Sequence, residues 1–277
     1  MTGLTLDVYT SPMREISTGG QFSPTTATLV FGPTEVALVD AQYAATDVDE
    51  LARRIDASGR TLTTIYLTHA HADHYFGIGP LLARYPDARA VALPAVAAEI
   101  ADGNEDARTQ WRDWFGGATI DNVALPEPLE SGSFTVDGVE LVAIEVGQAD
   151  IPHNTVLHIP ALDTVFAGDV VYNGIHPFLA ASNETQWPQW IESVEKVATL
   201  HPRTVVAGHK RPELPDDDLA ATVEMTKNYL QDFIGELADS SDSRDLVARM
   251  RKRYPDHGNP SALVLSAVVA VKRRRDA

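Results

Sequence analysis

Residues 68–74 read Thr-His-Ala-His-Ala-Asp-His, so His69, His71, Asp73 and His74 fall within six positions. Imidazole nitrogens and carboxylate oxygens are the donors that a borderline divalent ion such as zinc takes. His69 and His71 lie two apart, so an extended backbone projects both to one side. Asp73 and His74 are adjacent and can turn towards a second ion beside the first. The chain has nine histidines and three of them sit in this window, too dense a grouping for a loop that is merely polar.

The flanking sequence supplies a scaffold for these side chains. Residues 61–67, Thr-Leu-Thr-Thr-Ile-Tyr-Leu, are rich in β-branched and aromatic types and read as a strand. After His74, the later part of Tyr-Phe-Gly-Ile-Gly-Pro-Leu-Leu-Ala-Arg-Tyr carries a helical apolar pattern. The cluster therefore stands between a strand and a helix, where ligands can be held while a coordination position stays open to water.

His-x-His-x-Asp-His after a strand resembles the signature of the metallo-β-lactamase superfamily. Val36-Ala37-Leu38-Val39-Asp40 resembles the family's strand-Asp element, which implies that Asp40 braces the metal loop from behind. Val165-Phe166-Ala167-Gly168-Asp169 resembles the strand whose aspartate bridges two metals. Val205-Val206-Ala207-Gly208-His209 resembles the strand that supplies the last histidine of the second site. These landmarks keep the family's order over residues 25–210.

One landmark departs from the pattern. The family carries Gly-His-Thr before the strand that precedes Gly-Asp, and that histidine completes the first site. Here the segment is Val146-Gly147-Gln148-Ala149-Asp150-Ile151-Pro152-His153-Asn154-Thr155-Val156, and Gln148 is a poor zinc ligand. Aligning back from the following strand without gaps puts Asp150 at the ligand position. His153 is the alternative third ligand, three residues nearer the strand, and a first site lacking both would be weaker or hold one metal.

The resemblance implies a mixed α/β (α+β) fold, a four-layer αββα sandwich. A coarse reading of the chain fits it. Residues 4–9, 26–31, 35–40, 61–67, 89–93, 155–159, 163–167 and 204–207 read as strands. Residues 133–146 read as a hairpin turning at Asp137-Gly138. Helices are expected over 46–58, capped by Thr46 or Asp47, over 94–115 and over 186–200. Beyond 216 the chain reads as helices over 217–237, 242–254 and 259–272. The expected organisation is a catalytic domain over residues 1–215 with a C-terminal helical extension, 216–277, packed on it.

Charge and composition narrow the function. The chain has 277 residues, with 39 acidic against 22 basic side chains and a net charge of −17. A strongly acidic surface argues against nucleic acid, which needs a basic footprint. Lys272-Arg273-Arg274-Arg275 is a short solvated tail. With no cysteine, disulfides and thiolate ligands are excluded. The first residues lack a basic region followed by an apolar one, and no apolar run reaches membrane-spanning length. A cytoplasmic protein acting on a small molecule, with neither membrane nor nucleic acid as partner, is expected. Oligomeric state is open.

The resemblance implies two divalent ions, taken as Zn2+, although iron and manganese suit the same donors. His69, His71 and Asp150 (or His153) would hold the first, and Asp73, His74 and His209 the second, with Asp169 between them. A hydroxide bridging the ions would hydrolyse an ester, lactone, thioester or amide, and Asp73 would orient the water and shuttle its proton. Tyr172 and His176 follow Asp169 directly and are candidates to line the pocket and donate to a substrate oxygen. No lysine lies between Asp169 and Lys196 to bind a drug carboxylate, which counts against β-lactams. Trp111, Trp114 and Phe115 suit either an apolar lid or a buried helix edge, and residues 18–24 resemble the family's mobile hairpin loop. Other readings are a mononuclear iron dioxygenase of persulfides and a non-hydrolytic, cyclase-like metal-binding protein with a weakened first site.

Overall fold

A computed structural model describes residues 3–121 and 124–276. A six-stranded sheet runs in the order β1 (Thr5–Thr10), β4 (Thr26–Phe31), β5 (Glu35–Val39), β6 (Thr61–Tyr66), β7 (Arg89–Ala92), β8 (Glu127–Pro128). A small hairpin, β2 (Arg14–Glu15) with β3 (Gln21–Phe22), stands apart from it. The second sheet has five strands: β13 (Thr204–Lys210), β12 (Thr164–Asn173), β11 (Asn154–Ile159), β10 (Val139–Gly147) and β9 (Ser133–Val136).

The central strands of both sheets are buried on both faces, and the period of two sorts their residues between layers. In β4, Leu29 and Phe31 join the core beneath the first helical layer, while Val30 joins the core between the sheets. In β12, Val165 and Ala167 face the second helical layer and Phe166 faces the first sheet. The first helical layer is α1 (Ala45–Ser58), the short α2 (Ala72–Tyr75), α3 (Ile78–Arg84) and α4 (Pro94–Phe115). The second is α5 (Trp187–Thr199), α6 (Met225–Asp239), α7 (Ser243–Arg253) and α8 (Pro260–Asp276). The result is the expected αββα sandwich. Among the described residues no helix is long and apolar enough to cross a membrane.

The C-terminal helices complete the outer layer of the second sheet. Tyr229, Leu230, Phe233, Leu246, Met250 and Leu263 share one apolar cluster with Val171, Trp187 and Trp190. They reach the other side of the molecule as well. Ser261 Oγ accepts from Gln21 N at 2.9 Å, so α8 touches the β2–β3 hairpin.

Two local expectations are corrected. Neither Thr46 nor Asp47 caps α1, whose N-cap is Ala44 without a side-chain bond. Asp47 is instead buried and accepts from Tyr9 Oη at 2.7 Å and from Arg14 Nη2 at 2.6 Å. Strand β12 runs on to Asn173, past the expected end at 167, and it is this longer strand that carries Asp169 and Tyr172.

Candidate metal centre

Strands β5, β6 and β7 run parallel, so their C-terminal ends meet at one rim of the sheet. Crevices at such ends are where ligands bind in open α/β sheets. Asp40 follows β5, and the loop bearing His69 and His71 follows β6. The turn of α2 then presents Asp73 and His74. Strands β12 and β13 of the other sheet, also parallel, deliver Asp169 and His209 to the same rim.

Two donor groups form there. His69, His71, Asp150 and Asp169 make one, and Asp73, His74 and His209 the other. Asp169 reaches both. Its Oδ2 lies 3.8 Å from His69 Nε2, 3.9 Å from His71 Nδ1 and 3.3 Å from His209 Nε2. Its Oδ1 lies 3.3 Å from His74 Nε2. Asp73 Oδ2 is 3.3 Å from His74 Nε2 and 3.4 Å from His209 Nε2. His69 Nε2, His74 Nε2 and Asp169 Oδ1 are buried without a hydrogen-bond partner. Asp150 Oδ2 sits 2.8 Å from His71 Nδ1 without meeting hydrogen-bond geometry, as expected of donors aimed at a common point. Buried polar atoms left unpaired are costly, and a divalent ion in each group would satisfy all of these. The donor set fits.

A surrounding set of bonds fixes which nitrogen faces inward. Asp40 accepts from Thr68 N at 2.9 Å and from Thr68 Oγ1 at 2.9 Å, and its Oδ2 lies 2.8 Å from His74 Nδ1. Because a carboxylate only accepts, His74 carries its proton on Nδ1 and leaves Nε2 free as a ligand. Thr68 Oγ1 meets His69 Nδ1 at 2.9 Å, and Pro24 O receives His209 Nδ1 at 2.9 Å. Thr25 Oγ1 donates to Asp73 Oδ2 at 2.9 Å. Gly168 has φ +49°, and a Cβ there would meet Thr68 Oγ1 at 2.7 Å. A Cβ at Gly208 would collide with Asp169 Oδ1, so the two glycines let the strands approach the centre.

Burial and mutual charge set the ionisation. Burial, reinforced by the charge of His74, holds His69 well below its ordinary range. Burial raises Asp150, with His71 opposing. Burial pushes Asp169 up as well, but His209, His74 and His69 outweigh it and hold the carboxyl well below its usual range.

The remaining candidates fall elsewhere. His153 is half-exposed, with Nδ1 3.6 Å from Glu145 Oε1, outside both donor groups. Tyr172 is fully buried and donates to Asp169 Oδ2 at 2.9 Å, so its hydroxyl serves the centre's carboxylate rather than a substrate. Its ring also stacks on His209, with centroids 5.4 Å apart. His176 does not line the pocket. Its Nδ1 meets Tyr229 Oη at 2.9 Å, and its ring lies among Tyr229 and His257 under the C-terminal helices. His257 joins that packing, with its ring against Tyr229 and Tyr254. Gln148 turns towards α5 and accepts from Gln186 Nε2. Trp111 packs with Phe22, Tyr43 and Phe76 in the first helical core rather than forming an open lid. The hairpin is fixed from this side too, with Ser17 N donating to Trp114 O. Sequence reading missed Thr25, Thr68 and the Pro24 carbonyl, whose types carry no signal apart from their neighbours.

Comparison with known proteins agrees with this geometry. A model of the metallo-β-lactamase superfamily matches residues 20–209. The chain belongs to that superfamily. A metallo-β-lactamase family protein from Thermus thermophilus superposes with a TM-score of 0.64 at 20% identity, covering 100% of this chain and 95% of its own. The DIM-1 metallo-β-lactamase exposed to ceftazidime gives 0.62 at 19% identity, covering 82% of this chain and 93% of its own. A metallo-β-lactamase from Pontibacter korlensis gives 0.62 at 16%, covering 82% and 94%. At such identities the likeness is one of fold. No curated protein matches the chain.

Proposed function

We propose that this superfamily member is a hydrolase that holds two divalent ions, zinc in the first instance, and cleaves a small ester, lactone, thioester or amide. The observation that carries the reading is Asp169, within reach of both donor groups, together with His69 Nε2, His74 Nε2, Asp150 Oδ2 and its own Oδ1, which have no hydrogen-bond partner in the protein. His69, His71 and Asp150 would hold one ion, and Asp73, His74 and His209 the other, with Asp169 shared. Bound there, the ions would act as Lewis acids and acidify water. The chain's own residues do the rest. Asp40 and Thr68 fix the imidazoles, and Thr25 orients Asp73. Although burial opposes it, His74 and His209 keep the Asp73 carboxyl below its usual range, so it stays ionised to orient the attacking water. Asp73 is also assigned to take that water's proton.

Substrate approaches on the His71 side, because His71 is 27% exposed while His69 and His74 are wholly buried. Phe178 stands edge-on to the His71 ring at 6.4 Å and offers an apolar wall there. Lys196 donates to Val146 O at 2.6 Å and is thus engaged away from any substrate carboxylate. This supports a substrate other than a β-lactam.

The test is elemental analysis of tag-free protein purified without chelators, run beside chromogenic esters, lactones and β-lactams. About two zinc ions per chain with ester or lactone turnover are expected. One metal or none, without turnover, would overturn the proposal and favour the non-hydrolytic reading.

A further inference from the structure

Residues 258–261 lie beyond the stretch shared with the superfamily, which ends at 209. They tie the end of β12 to the β2–β3 hairpin. On one side, just past β12, Gly258 N donates to Gly174 O at 2.8 Å and Gly258 O accepts from His176 N at 3.0 Å. On the other side, Ser261 Oγ accepts from Gln21 N at 2.9 Å. Between them Asn259 is buried with φ +53°. Its amide, oriented to satisfy both ends, donates to Gln21 O at 2.9 Å and accepts from Ser23 N at 3.3 Å and Ser23 Oγ at 2.5 Å.

The segment held in this way leads straight into the metal centre. Pro24 O receives His209 Nδ1 at 2.9 Å, and Thr25 Oγ1 donates to Asp73 Oδ2 at 2.9 Å. Pro24 has no N–H, so its own nitrogen cannot fix the Ser23–Pro24 peptide. The fixed points are its neighbours. Asn259 holds Ser23, while Thr25 donates from N to Ser11 Oγ at 2.9 Å and accepts on O from Gln42 Nε2 at 2.7 Å. Phe22, on the same held stretch, stands edge-on to the His209 ring with centroids 6.1 Å apart. The first group is braced elsewhere, with His69 on Thr68 and Asp150 on Ile151 N.

We propose that Asn259 and Ser261 are positioning residues for the second metal group: the C-terminal extension holds residues 21–23 so that Pro24 O and Thr25 Oγ1 keep His209 and Asp73 aimed at one ion. The extension thereby serves the metal centre as well as covering the second sheet. The inference rests on Asp73, His74 and His209 being ligands, as in the two-ion hydrolase reading, and on no step of a reaction.

The test compares the full wild-type chain with Asn259→Gly/Ser261→Ala, in which glycine keeps the left-handed backbone. Arg274→Met is the control, because it removes a bond to Leu237 O at the far end of α8. Zinc titration of metal-free protein against a chromophoric chelator should show one of two sites weakened by about tenfold in the double variant. Both sites should be unchanged in Arg274→Met. Hydrogen exchange on the metal-free proteins reads the link without zinc. Protection should fall at Gln21 and also at Thr25, whose amide bonds Ser11 and not the extension. Urea melts establish that the fold survives, and Ser261→Ala alone replaces the double variant if it does not fold. Equal weakening of both sites, the same loss in Arg274→Met, or exchange that rises at Gln21 and not at Thr25 would overturn the proposal. Two zinc ions bound with wild-type affinities in the double variant would overturn it alone. A wild type that takes up fewer than two zinc ions would overturn the two-ion reading, and the proposal with it.

Discussion

Asp40→Asn isolates one proton. Asp40 has φ +57°, a conformation asparagine tolerates, and the amide has the shape of the carboxylate. Its chemistry differs at a single edge. The carboxylate accepts from Thr68 N on Oδ1 and lies within 2.8 Å of His74 Nδ1 on Oδ2. Asparagine keeps the Thr68 N–H bond only by placing its oxygen at the Oδ1 position, which turns its NH2 towards His74. His74 must then accept on Nδ1 and carry its proton on Nε2, the atom that faces Asp73 and Asp169 at 3.3 Å. A protonated Nε2 is lost as a ligand, by the logic that makes a tautomer-fixing aspartate irreplaceable by its amide in hydrolytic triads. A hydrogen bond to a charged group contributes about 1.5–3 kcal/mol, or roughly 10- to 100-fold in affinity. Substitutions behind a metal ligand typically cost the same 10- to 100-fold. Zinc titration of metal-free protein against a chromophoric chelator should therefore show one of two sites weakened by about that factor. The other should change far less, because His71 and Asp150 do not touch Asp40 and His69 is reached only through Thr68 Oγ1. Urea melts of the metal-free proteins establish that the fold survives. Wild-type affinity at both sites with the fold intact would refute the tautomer argument and the assignment of His74 as a ligand.

Asp150→Ala should remove the metal of the first group while His153→Ala leaves metal content at the wild-type level; the reverse outcome in elemental analysis would restore His153 as the third ligand. Tyr172→Phe should loosen Asp169 and weaken metal binding by about tenfold, measured by chelator competition. A change confined to KM would instead make its hydroxyl a substrate contact. Burial holds the His176 imidazole down to about 3 and that of His257 down to about 4. The unfolded chain takes up these protons near pH 6.5 while the folded chain does not, so stability is complete above that pH and falls as the pH drops towards 3. By pH 4.5 the His176 contribution is a loss on the order of 3 kcal/mol. Urea midpoints of metal-free protein against pH should flatten in His176→Asn, and an unchanged slope would remove His176 as the cause.

The site was legible where one short segment states its own chemistry, and less so where chemistry depends on direction. Residues 69–74 declare their donors by type and spacing, and the largely apolar runs of β4, β5 and β12 fit strands buried on both faces. Asp47 has the composition of a helix cap and lies next to the start of α1. Arg14 and Tyr9, more than thirty residues away, decide its use instead. His176 follows Asp169 closely enough to suggest a shared pocket. Gly174, at φ +69°, turns the chain before it, and His176 N donates to Gly258 O under the C-terminal helices.

Tyr172 is the most instructive case. Three residues from Asp169 on a regular strand, it would point to the opposite face. Its pairing with β13 shifts register between Gly168 and Tyr172, and this irregularity brings both side chains to the same side. Gly168 is part of the same device: its left-handed backbone brings the strand against Thr68, and Asp169 then reaches both donor groups. Composition marks Gly168-Asp169 as a motif, but the displaced register is set by the neighbouring strand. The tyrosine's task, holding the carboxylate that the two metal groups share, is therefore a property of two strands together and could not be read from either one.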